Sequence, residues 1–229
     1  MELYLKLMIN LTNLQKGYLE EKCVDEAVIR LMTIRNLLNM DSSDTDAKQA
    51  IDIWIEKQKQ WTDLNLKAAE ESMVLLKNNG ILPLTNPKTV AVIGPNSRNL
   101  GALEGNYHGT ADKMTTVYEG IKKWLPDSTV LVTEGCHLYK NKIEGCALPD
   151  DQVAEAVAFA RYADVAVVCL GLDPSIEGEL GDASNEYAAG DKHSLYLPDS
   201  QRRMLKAICE VNENVIVVLM SGGALELGE

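Results

Sequence analysis

The residues best suited to acid–base chemistry are concentrated in one segment, residues 171–198. It contains one lysine, one histidine and six carboxylates, which are Asp173, Glu177, Glu179, Asp182, Glu186 and Asp191. Clustered carboxylates repel each other, which raises the pKa of at least one of them. A carboxyl group with a raised pKa keeps its proton near neutral pH and can donate it to a substrate. The segment predicts a proton donor; a solvated acidic loop and a calcium site are the alternatives.

A second candidate loop, residues 94–109, is rich in glycine and follows a short apolar run. Such loops can cradle phosphates, but this one has neither the GxGxxG pattern nor the GK[ST] ending of phosphate-binding motifs. Asn106, Tyr107 and His108 offer hydrogen-bonding groups and an aromatic face, which suit a sugar ring equally well. A plain turn is the remaining interpretation.

Metal and serine chemistry have little support in the sequence. The three histidines, at 108, 137 and 193, lie far apart, and no HxxxH or CxxC spacing offers a metal site. The glycine spacing of residues 171–198 does not fit an EF-hand. Ser221 is not in a GxSxG turn and has no obvious histidine partner. We expect neither a metal nor a cofactor.

The five cysteines form no CxxC pair. Cys169 lies in an apolar run and Cys209 in a helical pattern, so both are predicted to be small buried hydrophobic residues. Cys136 and Cys146 flank a predicted loop, and the sequence leaves open whether a disulfide joins them. The first residues, MELYLK, carry the acidic Glu2 where a secretory signal carries basic residues, so we expect a cytoplasmic protein.

The charge balance excludes several classes of partner. The sequence has 22 lysines and arginines against 34 aspartates and glutamates, a net charge of −12. Nucleic acids and anionic membranes attract basic surfaces, so neither is an expected partner. The longest apolar runs fall far below the roughly 18 residues that span a bilayer. A neutral ligand such as a sugar is unaffected by this charge.

The elements that must position the candidate loops follow Gly80. Short β-branched apolar runs predict buried strands at residues 89–93, 129–133, 165–170 and 215–219. Helical patterns fit residues 117–124, 151–162 and 199–211 between them. This alternation indicates a doubly wound, mostly parallel α/β sheet sandwiched by helices, a flavodoxin-like fold. Ligands of such sheets bind beyond the carboxyl ends of the strands, where both candidate loops begin.

The first third of the chain is predicted to be helical. Asp25 is a plausible N-cap for one helix, residues 41–46 suit a linker, and a long helix is predicted over residues 47–77, with Gly80 as its stop. These helices have no strands of their own to cover, and the chain stops nine residues after Met220. We therefore interpret the sequence as a truncated piece of a larger protein.

Several motifs, in the right order, resemble family-3 glycoside hydrolases. Residues 68–84, AAEESMVLLKNNGILPL, are similar to the start of the family's second domain, and VAVIGPN at 90–96 is similar to its first strand. Residues 171–201, with IEGE at 176–179, are similar to the family's acid/base loop. Residues 215–223 match the strand and turn that follow, and residues 17–40 resemble the last helices of the preceding barrel.

The resemblance implies a (β/α)8 barrel followed by an α/β sandwich, with the active site between them. Residues 1–45 would be terminal helices of the barrel, residues 46–84 a linker helix and connector, and residues 85–229 an incomplete sandwich domain. Family members remove β-linked sugars from non-reducing ends with retention of configuration. Retention needs a nucleophile and an acid/base carboxyl group roughly 5–5.5 Å apart.

The resemblance assigns the acid/base role to Glu177, with Glu179 as the runner-up because of the Glu-Gly-Glu repeat. Asn106, Tyr107 and Asp191 would bind the substrate. The nucleophile is an aspartate of the barrel and is not in this sequence. The form LDPSIEGE at 172–179 is more like the xylosidase branch than the glucosidase branch.

Two departures affect the expected substrate contacts. Lys192 stands where many family members have arginine, and residues 181–189 lengthen the loop.

The resemblance leads to expectations about behaviour. The chain alone should not hydrolyse glycosides, because the barrel surface and the aspartate that would raise the pKa of Glu177 are both missing. Its partners would be that barrel and small β-linked oligosaccharides or glycosides. An exposed apolar face would favour a homo-oligomer. A β-glucosidase, a nucleotide- or flavin-binding module, and a domain that only stabilises the barrel are the alternatives.

Overall fold

The computed structural model describes residues 16–18, 20–38, 40, 44–105, 108–111, 113–142, 144–176 and 194–227. The chain divides into two units, Met1–Leu76 and Lys77–Glu229. None of the helices in the described ranges combines the length and hydrophobicity that a transmembrane span requires.

The described part of the first unit contains the helices α1 (Glu21–Leu37) and α2 (Asp44–Ser72). The prediction that Asp25 is the N-cap of α1 was wrong, since the N-cap is Glu20 and its side chain makes no capping hydrogen bond. The first turn instead carries the acidic Glu21, which suits the positive end of a helix.

The predicted end of the long helix was also wrong, because α2 ends at Ser72 and the chain then runs without regular structure. Asn78 organises the turn that follows. Its Oδ1 accepts hydrogen bonds from the backbone N–H groups of Gly80 (3.0 Å) and Leu82 (3.2 Å). Gly80 therefore belongs to a side-chain-stabilised turn and does not cap a helix.

The second unit is built on a four-stranded parallel sheet with the order β2-β1-β3-β4. Its strands are β1 (Thr89–Ile93), β2 (Thr129–Thr133), β3 (Val165–Gly171) and β4 (Val215–Met220). All four strands were predicted, and β3 and β4 each extend one residue further. The doubly wound parallel sheet is confirmed.

The described helices of this unit are α3 (Gly101–Glu104), α4 (Val117–Trp124), α5 (Val153–Tyr162) and α6 (Asp199–Cys209). Thr116 and Glu119 form a capping box at the start of α4. The Thr116 N–H and hydroxyl both donate to the Glu119 carboxylate, which lowers the pKa of Glu119.

The strands bury alternate residues on opposite faces of the sheet. One face carries Val90, Val92 and Val167, against which Tyr118 and Ile121 of α4 pack. The other face joins strand residues to α5 and α6; its buried members include Ala91, Ile93, Val168, Leu170, Ala156, Ala160, Met204 and Ile208. Helices on both faces explain why the central strands β1 and β3 are apolar apart from Thr89 and Gly171.

The cysteine predictions are only partly confirmed. Cys169 is buried, and burial raises the pKa of its thiol to about 12. Cys136 is buried and Cys146 exposed, and both are free thiols, so no disulfide joins them. Cys209 is exposed. It follows the buried Ile208 in α6, and the turn of about 100° per residue carries it off the buried face.

Candidate functional site

The connections that follow β1 and β3 run to opposite sides of the sheet. From β1 the chain crosses to β2 on one side, and from β3 it crosses to β4 on the other, so the two adjacent strands send their following loops apart. Ligands of open α/β sheets bind in the crevice that such a switch point creates beyond the carboxyl ends of the strands. The loops after Ile93 and Gly171 are therefore the primary candidate region.

A glycine stands at the carboxyl end of each of these two strands: Gly94 immediately follows β1, and Gly171 is the last residue of β3. Gly94 has φ +125° and Gly171 has φ +132°, which other residues rarely adopt. A Cβ on Gly94 would lie 2.1 Å from the carbonyl oxygen of Cys169, and one on Gly171 would lie 1.8 Å from that of Met220. Only glycine lets each strand turn away so close to its neighbour.

Gln201, in the first turn of α6, forms hydrogen bonds with the end of β3, where pairing between β1 and β3 has stopped. Strand β1 ends at Ile93, opposite Val168, so Gly171 has no strand partner on that side of β3. The fully buried Gln201 carboxamide accepts from the Gly171 N–H (2.8 Å) and donates to the Gly171 carbonyl (2.8 Å). A side chain thus replaces the missing strand.

The same side chain also fixes the loop after β2. Nε2 of Gln201 donates to the Leu138 carbonyl at 2.6 Å, and the hydroxyl of Ser200 donates to the His137 carbonyl at 2.9 Å. The start of α6 therefore connects the ends of β2 and β3.

Replacing Gln201 with leucine should lower the free energy of unfolding by about 3 kcal/mol. The substitution keeps most of the side-chain volume but leaves three buried backbone groups of Gly171 and Leu138 without partners, at roughly 1–3 kcal/mol each before relaxation. Urea unfolding followed by circular dichroism measures the change.

Gln152 provides the matched control for this substitution. Its Oε1 is buried and has no hydrogen-bond partner in the described structure, so Gln152→Leu removes an unsatisfied acceptor. We expect a change within about 0.5 kcal/mol of zero, or slightly stabilising. Equal losses from both variants would contradict the role given to Gln201.

The two diverging loops are joined by Asn99 and Asp173. Nδ2 of Asn99 donates to Oδ2 of Asp173 at 2.8 Å and to Oδ1 of Asn96 at 3.2 Å. Asn96 is buried, and its Nδ2 donates to the Leu172 carbonyl at 3.3 Å. We call Asn99 and Asp173 the loop clasp, because their side chains connect the loop after β1 to the loop after β3.

Asp173 also shapes its own loop. Its Oδ1 accepts from the N–H (2.8 Å) and the hydroxyl (2.5 Å) of Ser175, and its carbonyl accepts from the Ile176 N–H at 3.1 Å. The turn delivers Ile176 into a small buried cluster with Leu138 and Leu172. The backbone is therefore anchored at the residue immediately before position 177.

The far end of the acidic segment is anchored as well. The Leu197 N–H donates to the Glu226 carbonyl at 2.8 Å, and the Glu226 N–H donates to the Leu195 carbonyl at 2.7 Å. Leu197 is buried, and the chain enters α6 at Asp199.

The predicted site residues Glu177, Glu179, Asp191, Asn106 and Tyr107 lie outside the described residues. Their roles stay predictions. The structure does describe the residues that lead into and out of their loops, and these lie at the carboxyl ends of the strands.

The backbone N–H groups at the start of the loop after β1 are not free to bind a phosphate. A phosphate cradle needs free backbone N–H groups. Here the N–H of Gly94 bonds to the Thr133 carbonyl (3.0 Å), that of Asn96 to the Cys169 carbonyl (3.4 Å) and that of Ser97 to the Gly94 carbonyl (3.0 Å). These bonds disfavour the nucleotide-binding alternative.

His137 lies in the loop after β2 and was not singled out as functional from the sequence. Its Nδ1 accepts from the backbone N–H groups of Tyr139 (3.2 Å) and Lys140 (3.0 Å), so the neutral ring carries its proton on Nε2. Burial, and then the charge of Lys140, lower the pKa of His137. His137 is therefore a neutral structural residue near pH 7.

Comparison with known sequences gives a consistent result. A family model described as "Glycosyl hydrolase family 3 C-terminal domain" matches residues 73–229. The chain is 32% identical over 223 residues to thermostable beta-glucosidase B of Acetivibrio thermocellus, and 33% identical over 221 residues to beta-D-xylosidase 1 of Arabidopsis thaliana. Each alignment covers 93% of this chain and 26% of the relative, so the chain spans about a quarter of the length of these relatives.

Solved structures agree on the fold. An exo-β-xylosidase in complex with a xylobiose aziridine activity-based probe matches with a TM-score of 0.63 at 24% identity, over 95% of this chain and 26% of that chain. A β-glucosidase of Bifidobacterium adolescentis matches with a TM-score of 0.56 at 28% identity, over 97% of this chain and 30% of that chain.

Proposed function

The chain belongs to glycoside hydrolase family 3, whose C-terminal domain model it matches, and we propose that it supplies the acid/base carboxyl group of a retaining, exo-acting β-glycosidase. The observation that carries this proposal is the family match across residues 73–229, which includes the complete acidic segment. The barrel domain of the same protein would supply the nucleophile.

Glu177 is the residue we assign to the acid/base role. It follows the buried Ile176 at the carboxyl end of β3, where sheets of this type bind ligands. Protonated, it would give its proton to the oxygen of the leaving group; as a carboxylate, it would then activate the water that releases the sugar. An ordinary glutamate, with a pKa of about 4.3, is mostly ionised at pH 7. Burial against the barrel, together with the charge of the nucleophile, would raise that pKa.

The proposed substrate is a terminal β-linked xylose. Among the relatives of similar identity are β-xylosidases from a plant and a bacterium; xylan 1,4-beta-xylosidase of Xylanibacter ruminicola is 36% identical over 142 residues, 61% of this chain. The LDPSIEGE sequence before and around Glu177 favours the same branch of the family. A β-glucosidase is the second candidate, favoured by the 32% identity to the Acetivibrio thermocellus enzyme.

The test is a comparison of 4-nitrophenyl β-D-xylopyranoside and β-D-glucopyranoside as substrates for the complete protein that contains this chain. We expect kcat/KM for the xyloside to exceed that for the glucoside by at least about tenfold, because a pocket shaped for xylose must exclude the additional hydroxymethyl group of glucose. The reverse ratio would select the β-glucosidase. Turnover of neither glycoside would reject the glycosidase proposal.

A further inference from the structure

The loop clasp lies where the acid/base segment leaves the sheet. Asn99 belongs to the loop after β1 and Asp173 to the loop after β3, so their 2.8 Å hydrogen bond spans the switch point. No strand pairing joins these two loops, because both lie beyond the ends of their strands, at Ile93 and Gly171. Asn96 adds two longer bonds across the same point, from its Nδ2 to the Leu172 carbonyl (3.3 Å) and from its N–H to the Cys169 carbonyl (3.4 Å). The clasp is the contact that reaches Asp173, the residue closest along the chain to position 177 among these partners.

Both carboxylate oxygens of Asp173 accept hydrogen bonds. One carboxylate oxygen accepts from Asn99, and the other accepts from the backbone N–H and the hydroxyl of Ser175. Bonds to an ionised acceptor are stronger than neutral ones. The carboxylate therefore ties its own turn to the neighbouring loop.

A short and defined stretch of backbone connects this carboxylate to position 177. The Ile176 N–H bonds to the Asp173 carbonyl, and the Ile176 side chain is 3% exposed among Leu138 and Leu172. A displacement of Asp173 is therefore transmitted through one turn to the residue before Glu177.

We propose that Asp173, held by Asn99, is a positioning residue that sets where the acid/base Glu177 stands relative to the leaving group. The inference rests on the proposed function of Glu177. The clasp touches no substrate in this role; it acts through the turn of residues 173–176. Misplacing a reacting group by about 1 Å can cost 10²-fold in rate.

The clasp is distinct from the contacts that hold the sheet together. Asp173 and Asn99 are only half-buried and Ser175 is exposed, whereas the buried Gln201 and the strand ladders join the strands. Breaking the clasp should therefore leave thermal unfolding nearly unchanged while displacing the loop.

The experiment measures kcat/KM of the complete protein for two xylosides that differ in their need for acid assistance. Methyl β-D-xyloside needs a proton on its leaving oxygen, whereas 2,4-dinitrophenolate leaves without one. In Asn99→Asp, two carboxylates face each other and the clasp opens. We expect kcat/KM to fall about 10–100-fold for the methyl xyloside and less than about threefold for the dinitrophenyl xyloside.

The reciprocal variant Asn99→Asp/Asp173→Asn re-forms a carboxylate–amide pair with the roles exchanged, and should recover at least about fivefold of the loss on the methyl xyloside. Asp127→Ala is the control, because Asp127 is exposed and lies just before β2, at the opposite end of the sheet. Its kcat/KM values for the methyl and dinitrophenyl xylosides should match those of the unmodified protein.

The outcomes distinguish failure of the clasp inference from failure of the proposed function. The positioning role would be overturned if kcat/KM of Asn99→Asp fell equally for both xylosides or did not fall. It would also be overturned if the reciprocal variant recovered no kcat/KM on the methyl xyloside.

The Glu177→Gln variant is measured in the same experiment. If its loss of kcat/KM does not depend on the leaving group, the acid/base assignment fails. If its loss does depend on the leaving group but that of the clasp variants does not, only the clasp inference fails.

Discussion

Replacing Gly171 with alanine should abolish stable folding of the second unit. The new Cβ would lie 1.8 Å from the Met220 carbonyl oxygen and 2.7 Å from its carbonyl carbon, so β4 would have to move. The backbone φ of +132° adds conformational strain. Strain and overlap together cost about 5 kcal/mol, which is comparable to the whole stability of a typical domain. Urea unfolding followed by circular dichroism, and the soluble yield, measure the effect.

Gly80 is the matched control because it separates backbone conformation from steric overlap. Its φ is +100°, but a Cβ there would meet nothing within 4 Å. Gly80→Ala should therefore cost only about 1–2 kcal/mol, the penalty for a left-handed conformation. If the two alanine variants lose the same stability, overlap with Met220 is not what requires glycine at position 171.

Gly171 links the fold to the proposed chemistry. It ends β3, its backbone groups bond to Gln201, and Leu172 after it donates to the Met220 carbonyl at 2.9 Å. The acid/base segment begins at this fixed point. The loop that we propose to carry the catalytic group thus begins at a residue whose backbone is fixed by both neighbours.

The strands could be predicted from the sequence because their signal is local. A parallel strand covered on both faces must be apolar throughout, and runs such as VAVI and VAVVCL meet that condition without reference to the rest of the chain. The start of α4 was predictable for the same reason, since Thr116 and Glu119 form a capping box within four residues.

The errors fall where the local signal is ambiguous. Residues 73–77 are rich in helix formers, yet helix propensity is a weak preference, and α2 ends before them. Asp25 has the composition of an N-cap, but it lies one turn inside α1. Helix ends depend on contacts that a single sequence pattern does not encode.

The contacts around the candidate site could not have been predicted from spacing. Gln201 bonds to Leu138 across 63 positions, and Asn99 to Asp173 across 74 positions. Polar side chains of these types are common in loops, and only the folded sheet reveals which of them meet. The available signal was indirect: both Gln201 and Asp173 stand in the segment that resembles the family's acid/base loop.

Replacing Glu177 with glutamine should have the largest effect on catalysis. Glutamine keeps the shape of the side chain but has no acidic proton, so kcat/KM of the complete protein for methyl β-D-xyloside should fall about 10²–10⁴-fold. For the dinitrophenyl xyloside, whose leaving group needs no proton, it should fall far less. The pH profile provides a second readout: a general acid works only while protonated, so the loss of kcat/KM as the pH rises through its pKa should disappear in the variant.

Glu179→Gln decides between the two candidate carboxyl groups. If Glu177 is the acid/base, Glu179→Gln should retain activity on the methyl xyloside and the alkaline fall in its pH profile. Azide gives an independent check, because it attacks a glycosyl-enzyme without needing a general base. Azide should therefore accelerate turnover of the dinitrophenyl xyloside by Glu177→Gln and yield β-xylosyl azide. If azide accelerates Glu179→Gln instead, the roles of the two glutamates are exchanged, and the two-residue ambiguity of the Glu-Gly-Glu repeat is settled in favour of the second position.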